Sequence, residues 1–227
     1  MKKIKNFVSF DYIEALARKY LSMYAKESGH ADSLDVDYFV EITLGIQLVF
    51  ENMSDVNEDY AVNIFNNVFK LPSCCSTVGK NGFDKSIIID SVIAETDEAL
   101  YRWLLANAAA NSVLYNEPSY KDVFFEYAKD DVIHLNESYC FNLRCGDSFV
   151  NTPKYYANML AAAFLMPLSS IMKFFEERGS LFADTGTLIY EIADCFCVPN
   201  NVVAYRLLNL FDRYGVVLQD RKKANFS

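Results

Sequence analysis

Residues that interrupt regular structure are scarce in this chain, which has 8 glycines and 5 prolines among 227 residues. With 52% apolar and 22% charged residues, this composition excludes extended disorder and predicts a globular protein. The length is enough for one large domain or a compact two-lobed unit with a substantial buried core. No internal repeat or linker is visible.

Histidine is scarcer still, because the chain contains only His30 and His134. No helix can therefore present two histidines four residues apart, which is a common zinc-binding arrangement. Glycine-rich phosphate loops are absent as well. The only support for a mixed metal site of His134 with Cys140 or Cys145 is the spacing of these residues along a predicted extended segment. A structural role for these residues is the preferred interpretation.

The chain also lacks the apolar run of about 18 residues that a membrane span requires. Asp11 and Glu14 come too early for the apolar core of a signal peptide. The cysteines form no dense framework and lack zinc-finger spacing, which favours reduced thiols. We therefore expect a cytoplasmic protein that does not bind membranes. The six cysteines are Cys74, Cys75, Cys140, Cys145, Cys195 and Cys197.

Positive charge is in deficit, with 21 Lys and Arg against 30 Asp and Glu and a net charge of −9. Such a balance argues against a surface that binds phosphate backbones. Short basic runs occur only at the two ends of the chain, at 2–5 and 221–223. The helix pair predicted at 185–197 and 200–214 has helix–turn–helix spacing, but Arg206 and Arg213 are its main basic surface candidates. Direct nucleic-acid binding is not expected.

Hydrophobic periodicity and breaker residues predict a mostly helical chain with a few short strands. The clearest strand signal is the isoleucine run at 86–90. A loop is predicted at 72–82, and an extended segment at 134–144 with its strand at 139–144. A further strand is predicted at 46–50. The predicted helices are 10–27, 36–44, 57–70, 96–115, 120–128, 154–166, 168–178, 185–197 and 200–214.

The chain is organised around the helix predicted at 96–115, TDEALYRWLLANAAANSVLY. Thr96 is the predicted N-cap, followed by two acids in the first turn. Asn107 and Asn111 fall on the same face as Trp103 and its apolar neighbours. Two amides on an apolar stripe need hydrogen-bond partners, because burial removes their hydration.

Several blocks in order resemble the ImmA/IrrE family of zinc metallopeptidases. The most specific is YYANMLAAAFLMP at 155–167, which is similar to that family's acid-Ala-Asn-x-Phe-Ala-Ala…Leu-Met-Pro signature. The resemblance covers roughly residues 31 to 215. The other blocks are LDVDYFVEITLGIQLVF (34–50), SIIID (86–90), the helix at 96–115, FNLR (141–144) and FCVPNNVVAYRLLNL (196–210).

In that family a helix reading Ala-His-Glu-x-x-His carries two zinc ligands and the general base. In this sequence Ala106 matches the alanine, whereas Asn107 and Asn111 stand at the histidine positions. Ala108 stands at the position of the glutamate. Neutral amides are poor zinc ligands, and alanine cannot accept a proton.

The resemblance also implies a third, carboxylate ligand from the helix at 154–166. No Asp or Glu occurs from 148 to 175, and Tyr156 stands at the matching position, next to Tyr155. A phenol has an ordinary pKa of about 10 and binds metals only as phenolate. Because this chain departs from the family's pattern at the ligand and base positions, we expect no catalytic residue, no metal and no cofactor. We expect Asn107 and Asn111 to face Tyr155 or Tyr156 across the helix pair.

The predicted fold class is α+β: a mostly helical chain with a small, mainly three-stranded sheet on a helix bundle. The resemblance implies a zincin-like core of the gluzincin type. The predicted parts are an N-terminal helix at 1–30, a degenerate metallopeptidase-like domain at 31–167 and a C-terminal helical subdomain at 168–227.

The resemblance implies a catalytically inactive, protein-binding regulatory factor of a phage or mobile element, with a repressor-like or mobile-element protein as partner. One alternative is a small-ligand sensor whose cleft is lined by Asn107, Asn111 and Tyr155 or Tyr156. Amide and phenol groups suit neutral hydrogen-bonding ligands. A second alternative is a residual hydrolase with a non-standard metal site.

Overall fold

The computed structural model describes residues 9–29, 34–52, 75–77, 86–117, 132–134, 153–178 and 184–214. The helices before the centre are α1 (Phe10–Ser28), α2 (Val36–Tyr38, continued by the π-helical turn Phe39–Thr43) and α3 (Ser91–Thr96). The remaining helices are α4 (Glu98–Asn116), α5 (Pro153–Leu165), α6 (Leu168–Arg178), α7 (Thr185–Phe196) and α8 (Asn200–Tyr214). The predicted helices at 57–70 and 120–128 lie outside the described residues, as does His30.

The sheet contains strands β1 (Gln47–Glu51), β2 (Cys75–Thr77), β3 (Ser86–Asp90) and β4 (Val132–His134), in the order β1-β3-β2-β4. β1 runs parallel to β3, with Val49 opposite Ile88, whereas β2 is antiparallel to both β3 and β4. The described chain is therefore α+β and mostly helical, as predicted.

Two details of the predicted sheet were wrong. The described sheet has four strands instead of three, and β2 lies inside the predicted loop at 72–82. Its three residues are too few to produce the alternation of apolar and polar residues that marks a strand. β4 begins two residues before the predicted extended segment, whose remainder, including the strand at 139–144, lies outside the described residues.

Buried side chains from α1, α2, β3 and each of α3 to α8 form one hydrophobic cluster. Phe39 and Phe164 meet edge to face near its middle, with ring centroids 5.0 Å apart. The cluster contains residues from all three predicted parts of the chain, which is consistent with one compact unit. The boundaries at 30 and 167 stay predictions.

The prediction that Arg206 lies at the surface was wrong. This residue is 1% exposed. Its guanidinium forms a bidentate ion pair with Glu14 of α1, which is 5% exposed, through Nη1 to Oε1 and through Nη2 to Oε2 at 3.1 Å. Arg206 Nε also donates to the carbonyl oxygen of Met166 at 3.1 Å. One side chain thus links α1, α8 and the end of α5.

The central helix begins two residues later than predicted. Thr96 is the last residue of α3, and its Oγ1 donates to the carbonyl oxygen of Val92 at 2.6 Å. Asp97 is the N-cap of α4, since its Oδ1 accepts from the Leu100 N–H at 2.9 Å. Thr96, the cap predicted from the sequence, is therefore part of the short helix α3, which has its own N-cap at Asp90.

Asp97→Ala is expected to lower the free energy of unfolding by about 1 kcal/mol, because it removes the side-chain acceptor of the first turn of α4. Thr96→Ala is the matched control and should cost less than about 0.5 kcal/mol. Urea unfolding of the two variants measures the difference. If Thr96→Ala lowered the free energy of unfolding more than Asp97→Ala, Thr96 would be the N-cap instead.

No described helix is, on its own, both long and apolar enough to cross a membrane. The pair Tyr155–Leu165 and Leu168–Arg178 meets that criterion jointly, by length and composition alone, with a bend of 52° between its members. Most of α5 is buried in the hydrophobic cluster.

Candidate functional site: a buried amide cluster between two helices

The predicted site residues lie where α4 packs along α5. Alanines are frequent on both helices and are almost completely buried. Such small side chains let two helices approach closely without leaving voids. They are Ala106, Ala108, Ala109 and Ala110 of α4, and Ala157, Ala161, Ala162 and Ala163 of α5.

Three asparagines interrupt this apolar contact. Asn107 Nδ2 donates a hydrogen bond to Asn158 Oδ1 across the helix pair at 2.7 Å. Asn111 Nδ2 donates to the carbonyl oxygen of Asn107 at 2.9 Å and to its Oδ1 at 3.2 Å. The exposed fractions are 0% for Asn107, 6% for Asn111 and 8% for Asn158. We call these three residues the amide cluster.

Hydrogen bonds within the amide cluster pair the Asn107 side chain with both other members. A buried amide without a partner costs about 1–3 kcal/mol, whereas a paired one contributes modestly to stability. The Asn107 side chain acts at once as donor to Asn158 and as acceptor from Asn111. This arrangement joins the helices at one register and brings no ionisable group into the contact.

Ala108, which aligns with the general base of the resembling family, is 0% exposed. Its methyl group packs in the hydrophobic cluster. It has no lone pair to accept a proton from water. General-base chemistry at this position is therefore excluded by the residue itself.

The two tyrosines predicted for the site lie beside the amide cluster on α5. Tyr156 is 1% exposed, and its ring meets that of Tyr155 edge to face with centroids 5.5 Å apart. Tyr155 also packs against Tyr205 of α8 at 6.4 Å. The side-chain hydrogen bonds of Asn107 and Asn111 within the described residues go to Asn158 and to each other. Neither tyrosine takes part in them.

Asn158 is the site residue that the sequence did not single out, although it belongs to the quoted 155–167 block. A signal for it was present: between Tyr156 and Pro167 it is the only amide or charged side chain. A polar residue amid such an apolar helix needs a partner, just as Asn107 and Asn111 do.

The residues of this site do not fit zinc. Zinc takes imidazole, thiolate or carboxylate ligands. The site instead offers the amides of Asn107 and Asn111, the methyl group of Ala108 and the phenol of Tyr156. Among the described residues, no group of three or more His, Cys, Asp or Glu side chains is arranged to hold a metal ion. His134 has a described backbone in β4, but Cys140 and Cys145 lie outside the described residues.

No family model matches this chain, and no curated protein matches it significantly. The resemblance to the ImmA/IrrE family therefore depends on the sequence blocks quoted above. The zincin-like core stays a prediction, while the α+β class is a property of the described structure.

Proposed function

We propose that this chain is a catalytically inactive relative of the ImmA/IrrE metallopeptidases that acts by binding another protein. The observation that carries the proposal is the hydrogen bond between Asn107 and Asn158. It places neutral, hydrogen-bonded amides at the helix contact that, by the resemblance, corresponds to the metal site of that family. The proposed binding therefore uses the outer surface of the scaffold.

The expected partner is a repressor-like protein or another factor of a phage or mobile element, and the expected role is regulatory. The motivation is the resemblance, whose catalytic members act on regulatory proteins. The net charge of −9 favours a protein partner over a nucleic acid. Burial of Asn107, Asn111 and Tyr156 counts against a small ligand between α4 and α5.

The product of the gene adjacent to this one is the first partner to test. We expect it to co-purify with the full chain, to remain intact on long incubation and to be retained equally with added zinc or added EDTA. Binding that needs no metal is the distinguishing result. Cleavage of the partner at one site, abolished by EDTA, would contradict the proposal and support a residual hydrolase.

Tyr156→Phe is the matched control variant for that experiment, because it removes only the phenolic oxygen that could ligate a metal. We expect partner retention to be unchanged, since the ring stays buried. Metal analysis of both proteins, purified without added zinc, accompanies the binding assay. A stoichiometric transition metal in the wild type that Tyr156→Phe loses would favour the enzyme.

A further inference from the structure

A cavity of about 620 Å³ lies between α1, α6 and the end of α7, outside the amide cluster. That volume is within the range of sites for small organic molecules. Side chains of α1, α4, α5, α6 and α7 and adjoining residues line it. We call it the α1–α6 pocket.

The charge of the α1–α6 pocket is opposite to that of the whole chain. Among the residues that the structure describes, four cationic side chains line it, Arg18, Arg102, Lys173 and Arg178, against one carboxylate, that of Glu177. The complete chain has a net charge of −9. Gathering like charges around a cavity is unfavourable unless a counter-charge enters it, so the pocket favours an anion.

Arg102 is the lining cation that has an unpartnered N–H, although it also borders a groove lined by the carboxylates of Asp35, Asp37 and Glu98. Its Nε is buried and has no hydrogen-bond partner, and neither ion pair found among the described residues includes it. A buried N–H without an acceptor is costly. A guanidinium donates in a planar fork that matches the oxygens of a carboxylate or a phosphate.

Further donors come from the first turn of α6. Ser169 and Ser170 line the pocket just after Pro167, in the first turn of the helix. The Ser170 N–H donates to the Pro167 carbonyl oxygen at 3.0 Å, so the further donors are the two serine hydroxyls and the backbone N–H of Ser169. Lys173 follows one turn later on the same helix. The positive end of the helix dipole adds to the attraction of an anion.

The rest of the wall is apolar and aromatic, with Leu21, Phe164, Phe174 and Phe196 among its residues. The guanidinium carbon of Arg178 lies 5.8 Å from the centre of the Phe174 ring, so this cation is kept beside the aromatic surface. An inorganic ion would leave this wall without contacts. The matching ligand carries an apolar or aromatic group as well as its charge.

We propose that the α1–α6 pocket binds a small organic anion, a phosphate or carboxylate joined to an aromatic or apolar group. Arg102 and Lys173 bind its charged end, and the phenylalanine rings contact the remainder. This proposal does not depend on the proposed function, because no residue of the amide cluster lines the pocket.

Isothermal titration calorimetry of the full chain tests it with phenyl phosphate, benzoate, inorganic phosphate and neutral phenol. We expect phenyl phosphate or benzoate to bind in the millimolar range or more tightly, and the tighter of the two identifies the headgroup. Phenol and inorganic phosphate should bind more weakly, since phenol lacks the negative charge and inorganic phosphate lacks the aromatic group. Equal binding of phenol, or no binding of either organic anion at millimolar concentration, would overturn the proposal.

Arg102→Met keeps an unbranched apolar stem but removes the guanidinium group, and it should weaken binding of the tighter organic anion roughly tenfold. Lys173→Met, at an exposed position of α6, is the second variant if Arg102→Met fails to fold. Lys26→Met is the matched control, because Lys26 is an exposed cation of α1 that does not line the pocket. Equal weakening by Lys26→Met, or none by the two pocket variants, would refute the assignment.

Alkylation by iodoacetamide locates the bound anion. Cys195 and Cys197 both line the pocket; Cys195 is exposed, whereas burial raises the pKa of the Cys197 thiol and leaves less of it as reactive thiolate. Cys195 is therefore the reporter, and the better anion should slow its alkylation in the wild type. Protection that persists in Arg102→Met would place the anion elsewhere.

Discussion

Arg206→Met is expected to lower the free energy of unfolding by about 3–5 kcal/mol, which is the usual cost of removing one partner from a buried ion pair. Glu14, which is 5% exposed, would be left without its guanidinium partner. The Met166 carbonyl oxygen would also lose the donor that Arg206 Nε supplies at 3.1 Å. Urea unfolding monitored by circular dichroism measures the loss.

The double variant Glu14→Met/Arg206→Met separates the ion pair from the packing around it. Replacing both charges with apolar residues of similar volume is often neutral or stabilising. We therefore expect the double variant to recover most of the stability that Arg206→Met loses. A double variant at least as unstable as Arg206→Met would mean that the Met166 contact and the packing of the arginine stem carry the effect.

The helical part of the fold was the most predictable from sequence. The predicted helices at 168–178 and 200–214 agree with α6 and α8 at both ends, and α1 extends one residue beyond its predicted end. Residues at the ends of α1 explain that accuracy. Ser9 accepts from the Tyr12 N–H at 3.2 Å, and Gly29 has a φ of 73°, in the left-handed region that glycine adopts freely.

Features that depend on tertiary pairing were not predictable in the same way. β2 exists through its hydrogen bonds to β3 and β4, which no pattern within its three residues can indicate. Arg206 was predicted at the surface because arginine is seldom buried without a partner. That partner, Glu14, is 192 residues away in sequence, and only the fold brings them together.

The candidate site was predictable on α4 and less so on α5. Helical spacing placed Asn107 and Asn111 on one apolar face and required partners for them. Which residue of α5 supplies the partner depends on the rotation of that helix about its axis. Tyr156 and Asn158 are two positions apart and so project about 200° apart around a helix. A rotation of α5 by roughly half a turn therefore separates a phenol from an amide at this contact.

Asn107→Asp is the second variant with a large expected effect, on the order of 3 kcal/mol of destabilisation at pH 7. The substitution is almost isosteric, but it places a carboxylate at a position with 0% exposure. Its charge would face Asn158 Oδ1, which now accepts a hydrogen bond from Asn107 Nδ2 at 2.7 Å. The protonated acid, in contrast, can still donate to that oxygen while it accepts from Asn111.

The pH dependence of this variant has a definite sign. Burial raises the pKa of the new carboxyl in the folded state above the ordinary value of about 3.9 that it has when unfolded. The folded state then binds a proton that the unfolded state releases, so the deficit is small near the unfolded pKa and grows with rising pH. The difference in unfolding free energy between wild type and Asn107→Asp should thus be smaller at pH 5 than at pH 8.

Asn116→Asp is the control on the same helix, because Asn116 is exposed at the end of α4. It should cost less than about 1 kcal/mol, from the unfavourable charge at a helix C-terminus, with little change between pH 5 and 8. If Asn107→Asp behaves like this control, water reaches the helix contact, because only a solvated carboxylate would be tolerated there. The contact would then be an open cleft, which would favour a small-ligand sensor over a scaffold that binds its partner through the outer surface.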